Sequence, residues 1–507
     1  MTATDDSAER STAAAAASGR GREFAAALGW FLVAATLRAI GIDRFSLWGD
    51  EIYTLENSQQ LFGPAMKPSA LAFPLSFLLE RGALELARLG GVDLGAPESL
   101  QWVLRVVPAT CGALAAAAAF AGSRGVLRPG ERHVLAALVA FSPWFLWMSQ
   151  MARFYALVLF FCVPATFSFW RAQRDGDVGA AWRGVAWSAL ALATHPSAGL
   201  LLLGHLLACL AAAALRLKPL TRALVPPLLL PLAAVAVAAA WPTLRETIAY
   251  RYHAQDASLE TAAVLVLGLG FNFGPVVGAL ALLGLPTLWR RERALAVHVV
   301  VGVGAPVAGV LLLALQQKAV EQRYLVAVMP LALVPAAAFL GELGHRVTGA
   351  LRGARVAIPA AALAAWLPGV VSAGIDGDRH DLAGALAFVG ARLEPGDAIV
   401  CETHALARRY LPAELSDERL IEAPPPRDEW KRWQELWTDS RRVWVVVQAE
   451  FEEMSAETRS FQRWAWQEGR LVREFWRPRL DYHQNRLRVF LVDTALARRW
   501  HRELPQR

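Results

Sequence analysis

The sequence predicts an α-helical polytopic membrane protein that ends in a C-terminal soluble α/β domain. Three observations point there. Of 507 residues, 55% are hydrophobic and only 19% charged. The mean hydropathy is +0.34, high for a soluble protein of this size. The charge is also uneven: long uncharged runs fill the chain up to about residue 370, whereas the remainder has the composition of an ordinary soluble protein. A formal net charge of +7 raises the question of nucleic acid. The excess Arg and Lys, however, sits in short loops between apolar runs, as in cytoplasmic loops of membrane proteins, so nucleic-acid binding is set aside.

Taken in order, residues 1–19 are rich in Ala, Ser and Thr without a packing pattern and are expected to form a disordered cytoplasmic tail. Arg20 and Arg22 precede the first apolar run, 24–40, and no small-residue cleavage site follows it, so it reads as an uncleaved anchor. Further runs lie at 102–122, 133–149, 154–170, 184–196, 198–215, 223–241, 261–288, 294–315, 322–342 and 356–374. That makes about eleven spans. Residues 69–92 are apolar but carry Glu80, Arg81, Glu85 and Arg88, each costing roughly 2.5–3.5 kcal/mol at the centre of a bilayer, so an interfacial helix fits better. From residue 375 to 507 the pattern changes. Strand-like runs at 397–403, 442–448 and 486–492 alternate with helix-like stretches and predict a small α/β domain. Its Trp430, Trp433, Trp437, Trp444, Trp464, Trp466 and Trp476 are suited to core packing, to sugar stacking or to the bilayer surface. Cys111, Cys162 and Cys209 fall in spans, which leaves Cys401 alone in the soluble region and no disulfide framework.

Orientation follows from the loops. Arg124, Arg128 and Arg132 share one loop; Arg171, Arg174 and Arg183 the next on that side; then Arg216, Lys218 and Arg222; Arg290, Arg291 and Arg293; and Arg346, Arg352 and Arg355. Positive loops stay cytoplasmic. The largest loop on the other side is acidic through Asp43, Asp50, Glu51 and Glu56, and is therefore exoplasmic. An odd number of spans then places 375–507 on the exoplasmic side. The membrane module runs over 20–374, with an exoplasmic loop at 41–101 holding interfacial helices.

On that topology the unusual polar residues converge on the exoplasmic face. Asp50, Glu51 and Tyr53 lie in LWGDEIYTL just after the first span; Gln150, Arg153 and Tyr155 in MSQMARFYAL between spans; His195 in ATHPSAG; and Gln322, Arg323 and Tyr324 in EQRYLVAVMP. Each has a plain reading alone: carboxylates capping a helix, arginines snorkelling to headgroups, a histidine satisfied in a turn. Ionisable groups gathered at one leaflet are instead a functional candidate.

These four motifs, in this order, resemble the GT-C membrane glycosyltransferases of family 39, the group of the protein mannosyltransferases and the lipid A aminoarabinose transferases. The resemblance covers 24 to about 340. It implies transfer of a sugar from a polyprenyl-phosphate donor to an acceptor on the exoplasmic face of a bacterial-type inner membrane, with inversion at the anomeric carbon. Asp50 matches the family's catalytic Asp and is expected to take the proton of the attacking hydroxyl, with Glu51 orienting the acceptor or helping to hold a metal. Two adjacent carboxylates repel, which would suit a base working near neutral pH. Arg153 and Arg323 are expected to bind the donor lipid phosphate through their fixed fork of donors. Tyr53, Gln150, Tyr155, His195, Gln322 and Tyr324 are expected to line the pocket.

Many relatives carry His-Pro-Pro-Leu in the first exoplasmic loop, where this chain has Ala72-Phe73-Pro74-Leu75. A divalent metal is thus compatible but not required. Lipid, polysaccharide and protein hydroxyls all fit as acceptors, and the sugar itself is not legible. Arg38 is expected to anchor the outer end of the first span or to pair with Asp50. A transporter or flippase of a lipid-linked saccharide is the alternative from another class, but its charges belong near mid-membrane in paired broken helices. A catalytically dead relative is disfavoured by the intact Asp50, Arg153 and Arg323.

Overall fold

A computed structural model describes residues 5–63, 73–242, 259–315, 322–347, 353–376, 381–412, 419–422, 440–449, 461–463, 465–467, 469–476 and 486–493. The chain is mostly helical, with one small sheet. Helix α1, Asp5–Ala39, includes all of the first apolar run except Ile40. Residues 5–19, expected to be unstructured, are its first turns; the alanine run at 13–17 has the highest intrinsic helix propensity of any side chain. A loop leads to α2, Gly49–Gln59, and the predicted interfacial segment is α3, Leu75–Leu89. Helix α3 buries Phe77, Glu80 and Leu84 and exposes Leu78, Leu79, Leu86 and Leu89. Residues 69–72 of that predicted segment lie outside the described residues.

Then follow α4 (Pro97–Gly122), α5 (Pro129–Phe141), α6 (Pro143–Ser149), α7 (Tyr155–Asp175), α8 (Val178–Thr194), α9 (Ala198–Ala214) and α10 (Val225–Ala240). After these come α11 (Leu259–Phe273), α12 (Pro275–Arg291), α13 (Arg293–Leu315), α14 (Met329–Val347), α15 (Ala354–Ala364) and α16 (Leu367–Asp376). Of the described helices, α4, α7 and α13 are long and apolar enough to cross a membrane by length and composition. Three runs expected to be continuous are broken. Pro143 removes a helical donor, so 133–149 is divided between α5 and α6, with Ser142 accepting from the Phe145 N–H. The run 261–288 divides at Gly274, whose φ of 86° belongs to the left-handed region and where a Cβ would meet the Trp366 indole. The run 356–374 divides between α15 and α16 around Ala365 and Trp366.

The arginine-rich ends are tied together. Arg291 at the end of α12 lies 2.7 Å from the buried Glu131 carboxylate of α5 and 2.5 Å from Glu342 of α14, which also meets Arg128 and Arg346. These pairs clamp three helices at the end where positive charge accumulates.

At the C-terminal end, α17 (Leu382–Gly390) and α18 (His404–Tyr410) flank a sheet of β1 (Asp397–Cys401), β2 (Leu420–Glu422), β3 (Arg442–Ala449), β4 (Arg470–Trp476) and β5 (Arg486–Asp493). The strand order is β2-β1-β3-β5-β4, with β1 parallel to both neighbours and the β3-β5 and β5-β4 pairs antiparallel. The three predicted strands are its adjacent central ones. Side chains alternate: Ala398, Val400, Val443, Val445, Phe490 and Val492 share one core, and Ile399, Cys401, Trp444, Val446 and Val489 the other. Trp444 is thus a core residue and Trp466 is partly exposed, whereas Trp430, Trp433, Trp437 and Trp464 lie outside the described residues.

One carboxylate sets an acid limit for this sheet. Asp397 accepts from Arg442 at 3.0 and 2.7 Å, from the Trp444 indole at 3.1 Å and from the Glu394 N–H at 2.9 Å. Burial pushes its pKa up, and these hydrogen bonds outweigh burial to hold it below the ordinary value. A depressed folded-state pKa contributes stability above the unfolded value, lost as pH falls through the folded one. Acid unfolding below about pH 4, followed by tryptophan fluorescence, is therefore expected to flatten in Asp397→Asn; an unaltered acid limb would assign that limb to other carboxylates.

Candidate active site

The predicted motifs meet where α1 ends. The chain turns at Gly41 (φ 68°), runs through 42–48 and enters α2, whose first turn carries Asp50 and Glu51 next to the helix N-terminus. Successive helical residues point about 100° apart, so the two carboxylates part company.

Glu51 turns inward and is fully buried against Arg105 of α4, the two side chains forming a bidentate pair at 2.8 Å in both arms. The remaining Arg105 donors reach the carbonyls of Ile42 and Phe45 at 2.8 Å and of Ser46 at 3.1 Å. All five guanidinium N–H groups are thereby used, and the loop preceding Asp50 is wrapped around one cation. Glu51 also accepts from the backbone N–H of Ala152 at 2.8 Å and of Trp48 at 3.4 Å. One buried pair thus joins the Asp50 loop to the segment that carries Arg153.

Asp50 points the other way, its side chain 38% exposed, with its Oδ2 3.6 Å from the Nε of Arg153. Arg153 also donates to the Asp50 carbonyl at 3.2 Å and to the Thr54 hydroxyl at 3.5 Å. Its guanidinium lies 5.0 Å from the Phe154 ring and 5.7 Å from that of Tyr53. Phe154 stacks face to face on His195, centroids 3.5 Å apart, and His195 lies 5.3 Å from Tyr324. The His195 Nδ1 accepts from the Ser197 N–H at 3.2 Å, which leaves Nε2 to carry the proton of the neutral ring. Arg323, in a 3₁₀ turn at Gln322–Ala327, has its guanidinium 5.5 Å from the Trp48 ring and 5.3 Å from that of Tyr155.

Asp50, Tyr53, Arg153, Tyr155, His195, Arg323 and Tyr324 are thus linked by direct contacts from four separate stretches of chain. Glu51 is neutralised by Arg105, Arg153 meets Asp50, and Arg323 joins the group through the Trp48 and Tyr155 rings; guanidinium forks of this kind suit a phosphate. Three expectations change. Glu51 has both oxygens occupied by Arg105 and holds backbone in place; it does not face an acceptor. Gln150 is buried and donates to the carbonyls of Arg38 and Ile40 at 3.1 and 2.9 Å, which ties α1 to the end of α6; it does not line a pocket. Arg38 does not pair with Asp50: it is fully buried and donates to the carbonyls of Ala34, Ala140 and Val139. The side chain of Gln322 lies outside the described residues.

Among the described residues, the two carboxylates of the site are already engaged by arginines. Glu51 is bonded to Arg105 on both oxygens and Asp50 faces Arg153, so an ion at Asp50 would meet a guanidinium. Among the described residues no group of three His, Cys, Asp or Glu side chains is placed to share one ion.

Arg105 was not singled out from the sequence, although a charged residue three positions into an apolar run is an available signal. Trp48 and Phe154, the rings beside the two arginines, were passed over because aromatic residues at span ends are ordinary interface anchors.

No family model matches the chain, and no curated protein does. Among solved structures the chain is similar to the crystal structure of ArnT from Cupriavidus metallidurans in the apo state, with a TM-score of 0.53, 14% sequence identity and coverage of 95% of this chain and 99% of that one. It is also similar to ArnT from the same organism bound to undecaprenyl phosphate, with a TM-score of 0.54, 12% identity and coverage of 94% and 99%. At such identities the likeness speaks for the fold alone, over nearly the full length of both chains: this chain has the fold of the ArnT structures.

Proposed function

We propose that this chain is a membrane glycosyltransferase that moves a sugar from a polyprenyl-phosphate donor to an acceptor hydroxyl on the exoplasmic face, with inversion at the anomeric carbon. The observation that carries the reading is the partly exposed Asp50 carboxylate facing Arg153, with Arg323 joined to the same group of residues through Trp48 and Tyr155. The ArnT structure with undecaprenyl phosphate bound supports a polyprenyl-phosphate donor for a chain of this fold.

In the proposed reaction the acceptor oxygen attacks the anomeric carbon as Asp50 takes its proton, and the bond from that carbon to the phosphate oxygen breaks. The polyprenyl phosphate leaves with the electron pair, and Arg153 and Arg323 meet the charge that develops on it. Trp48, Tyr53 and Tyr324, each partly exposed, supply ring faces and edges for a sugar, with Phe154 and Tyr155 buried behind them. The reading includes about eleven crossings of a bacterial-type inner membrane, with residues 375–507 on the exoplasmic side.

The test is transfer of radiolabelled sugar from a panel of polyprenyl-phosphate hexoses and pentoses by the purified protein, with membrane extract as acceptor. Label moved from one donor into extract would identify donor and acceptor class together. Absence of transfer from every donor, with flipping of a lipid-linked saccharide in reconstituted vesicles, would replace the reading by the transporter one.

A further inference from the structure

The loop that delivers Asp50 is held from two sides. Arg105 holds it from α4, through the carbonyls of Ile42, Phe45 and Ser46. The other side is supplied by the C-terminal part of the chain. Tyr410, the last residue of α18, has its hydroxyl 2.6 Å from the Leu47 N–H and 2.8 Å from the Gln101 side-chain amide. With the Gln101 amide turned so that its oxygen accepts from Tyr410, its nitrogen donates to the carbonyls of Asp43 and Phe45. Every group then has a complementary partner: the phenol accepts from Leu47 and donates to Gln101, and Gln101 donates to the loop. Burial pushes the phenol pKa up, so the hydroxyl keeps its proton. A few residues away the Ser46 hydroxyl accepts from the Ala383 N–H at 2.9 Å. Leu47, Ile52, Leu55, Leu100 and Leu104 share one apolar core with residues of α17, α18 and the sheet, Leu386 and Leu406 among them.

Two cavities flank this contact, of 310 and 380 Å³, and Tyr410 lines both. Tyr410 packs against the apolar core that Leu47 and Leu100 share with the C-terminal elements, and its hydroxyl adds directional contacts to that packing. Leu47 is three residues before Asp50, so a shift of its backbone moves the whole first turn of α2.

We propose that Tyr410 is a positioning residue for the transfer reaction: through Leu47 and Gln101 it fixes the 42–48 loop so that Asp50 faces Arg153, which gives the C-terminal sheet and its helices a part in catalysis without touching the substrate. The proposal rests on the transferase reading of Asp50.

Tyr410→Phe keeps the ring and loses both hydrogen bonds; Ser46→Ala removes the second tie alone. A displacement near 1 Å at a reacting group costs on the order of 100-fold in rate. Loss of one of several ties is expected to lower kcat by about tenfold in Tyr410→Phe and less in Ser46→Ala, with KM for the donor little changed. Hydrogen exchange at the amides of 47–50, which needs no substrate, is expected to quicken in both variants. Wild-type kcat in Tyr410→Phe would overturn the proposal, as would exchange at 47–50 equal to wild type, or equal losses in kcat and donor affinity. Failure of the unaltered protein to transfer any sugar would overturn the transferase reading and the catalytic role with it, while faster exchange in the variants would still establish the loop contact.

Discussion

Asp50→Asn is expected to remove sugar transfer, with kcat reduced by roughly 10²–10⁴-fold, the range lost when a positioned general base is deleted. Asn has the shape of Asp, and its side-chain oxygen still faces Arg153, so insertion, thermal stability and donor binding are expected to stay near wild type. What it lacks is a basic oxygen for the acceptor proton. The measurement is single-turnover transfer of labelled sugar beside equilibrium binding of the donor. A variant that binds donor and keeps full turnover would remove Asp50 from the reaction; one that fails to bind donor would reassign it to phosphate recognition or to the placement of Arg153.

The second large effect is expected at Arg105. Arg105→Ala leaves the Glu51 carboxylate buried without its cation and takes one donor from each of the Ile42, Phe45 and Ser46 carbonyls. Breaking a buried pair in this way costs about 3–5 kcal/mol. Thermal unfolding in detergent should register it as a fall of several degrees. Replacing both members by Met is the more informative variant. Two apolar side chains of similar volume can restore stability, since a buried ion pair is often no better than well-packed hydrocarbon. They cannot restore the acceptor that Glu51 offers to the N–H groups of Ala152 and Trp48, nor the donors that gather the 42–48 loop. The double variant is therefore expected to regain stability and remain poor in transfer. Recovery of both would show the pair to be only a structural brace.

The need for that experiment shows how far residue patterns reach. Hydropathy and the order of four short motifs sufficed to place Asp50, Arg153, His195 and Arg323 at the ends of apolar runs, and these ends are brought together in space. The adjacent carboxylates, by contrast, were treated as a pair. Their division into one buried group and one outward-facing group depends on a cation 54 positions along the chain from Glu51. Gln150 and Arg38 were misread for the same reason: each donates to carbonyls more than 100 positions away in the chain, contacts that no local pattern records. The break at Gly274 had a local signal in the Gly-Pro pair, masked by apolar residues on both sides.

In the sheet, β1, β3 and β5 were legible because their runs of β-branched and aromatic residues are buried on both faces. Strands β2 and β4 were not. They lie at the edges, β2 only three residues long and β4 interrupted by Arg470, Arg473 and Glu474, so their pairing comes from the neighbour already in place.

The sequence by itself determined the long apolar runs, the polar motifs at their ends and the composition change near residue 375, because hydrophobic burial and charge exclusion act on composition and period alone. Only the tertiary structure decided which carboxylate is buried and which faces outward, and that Arg105 and Tyr410 bond the loop that precedes them. Those outcomes depend on hydrogen bonds of fixed length between residues far apart in the chain, and such bonds leave no period in the sequence.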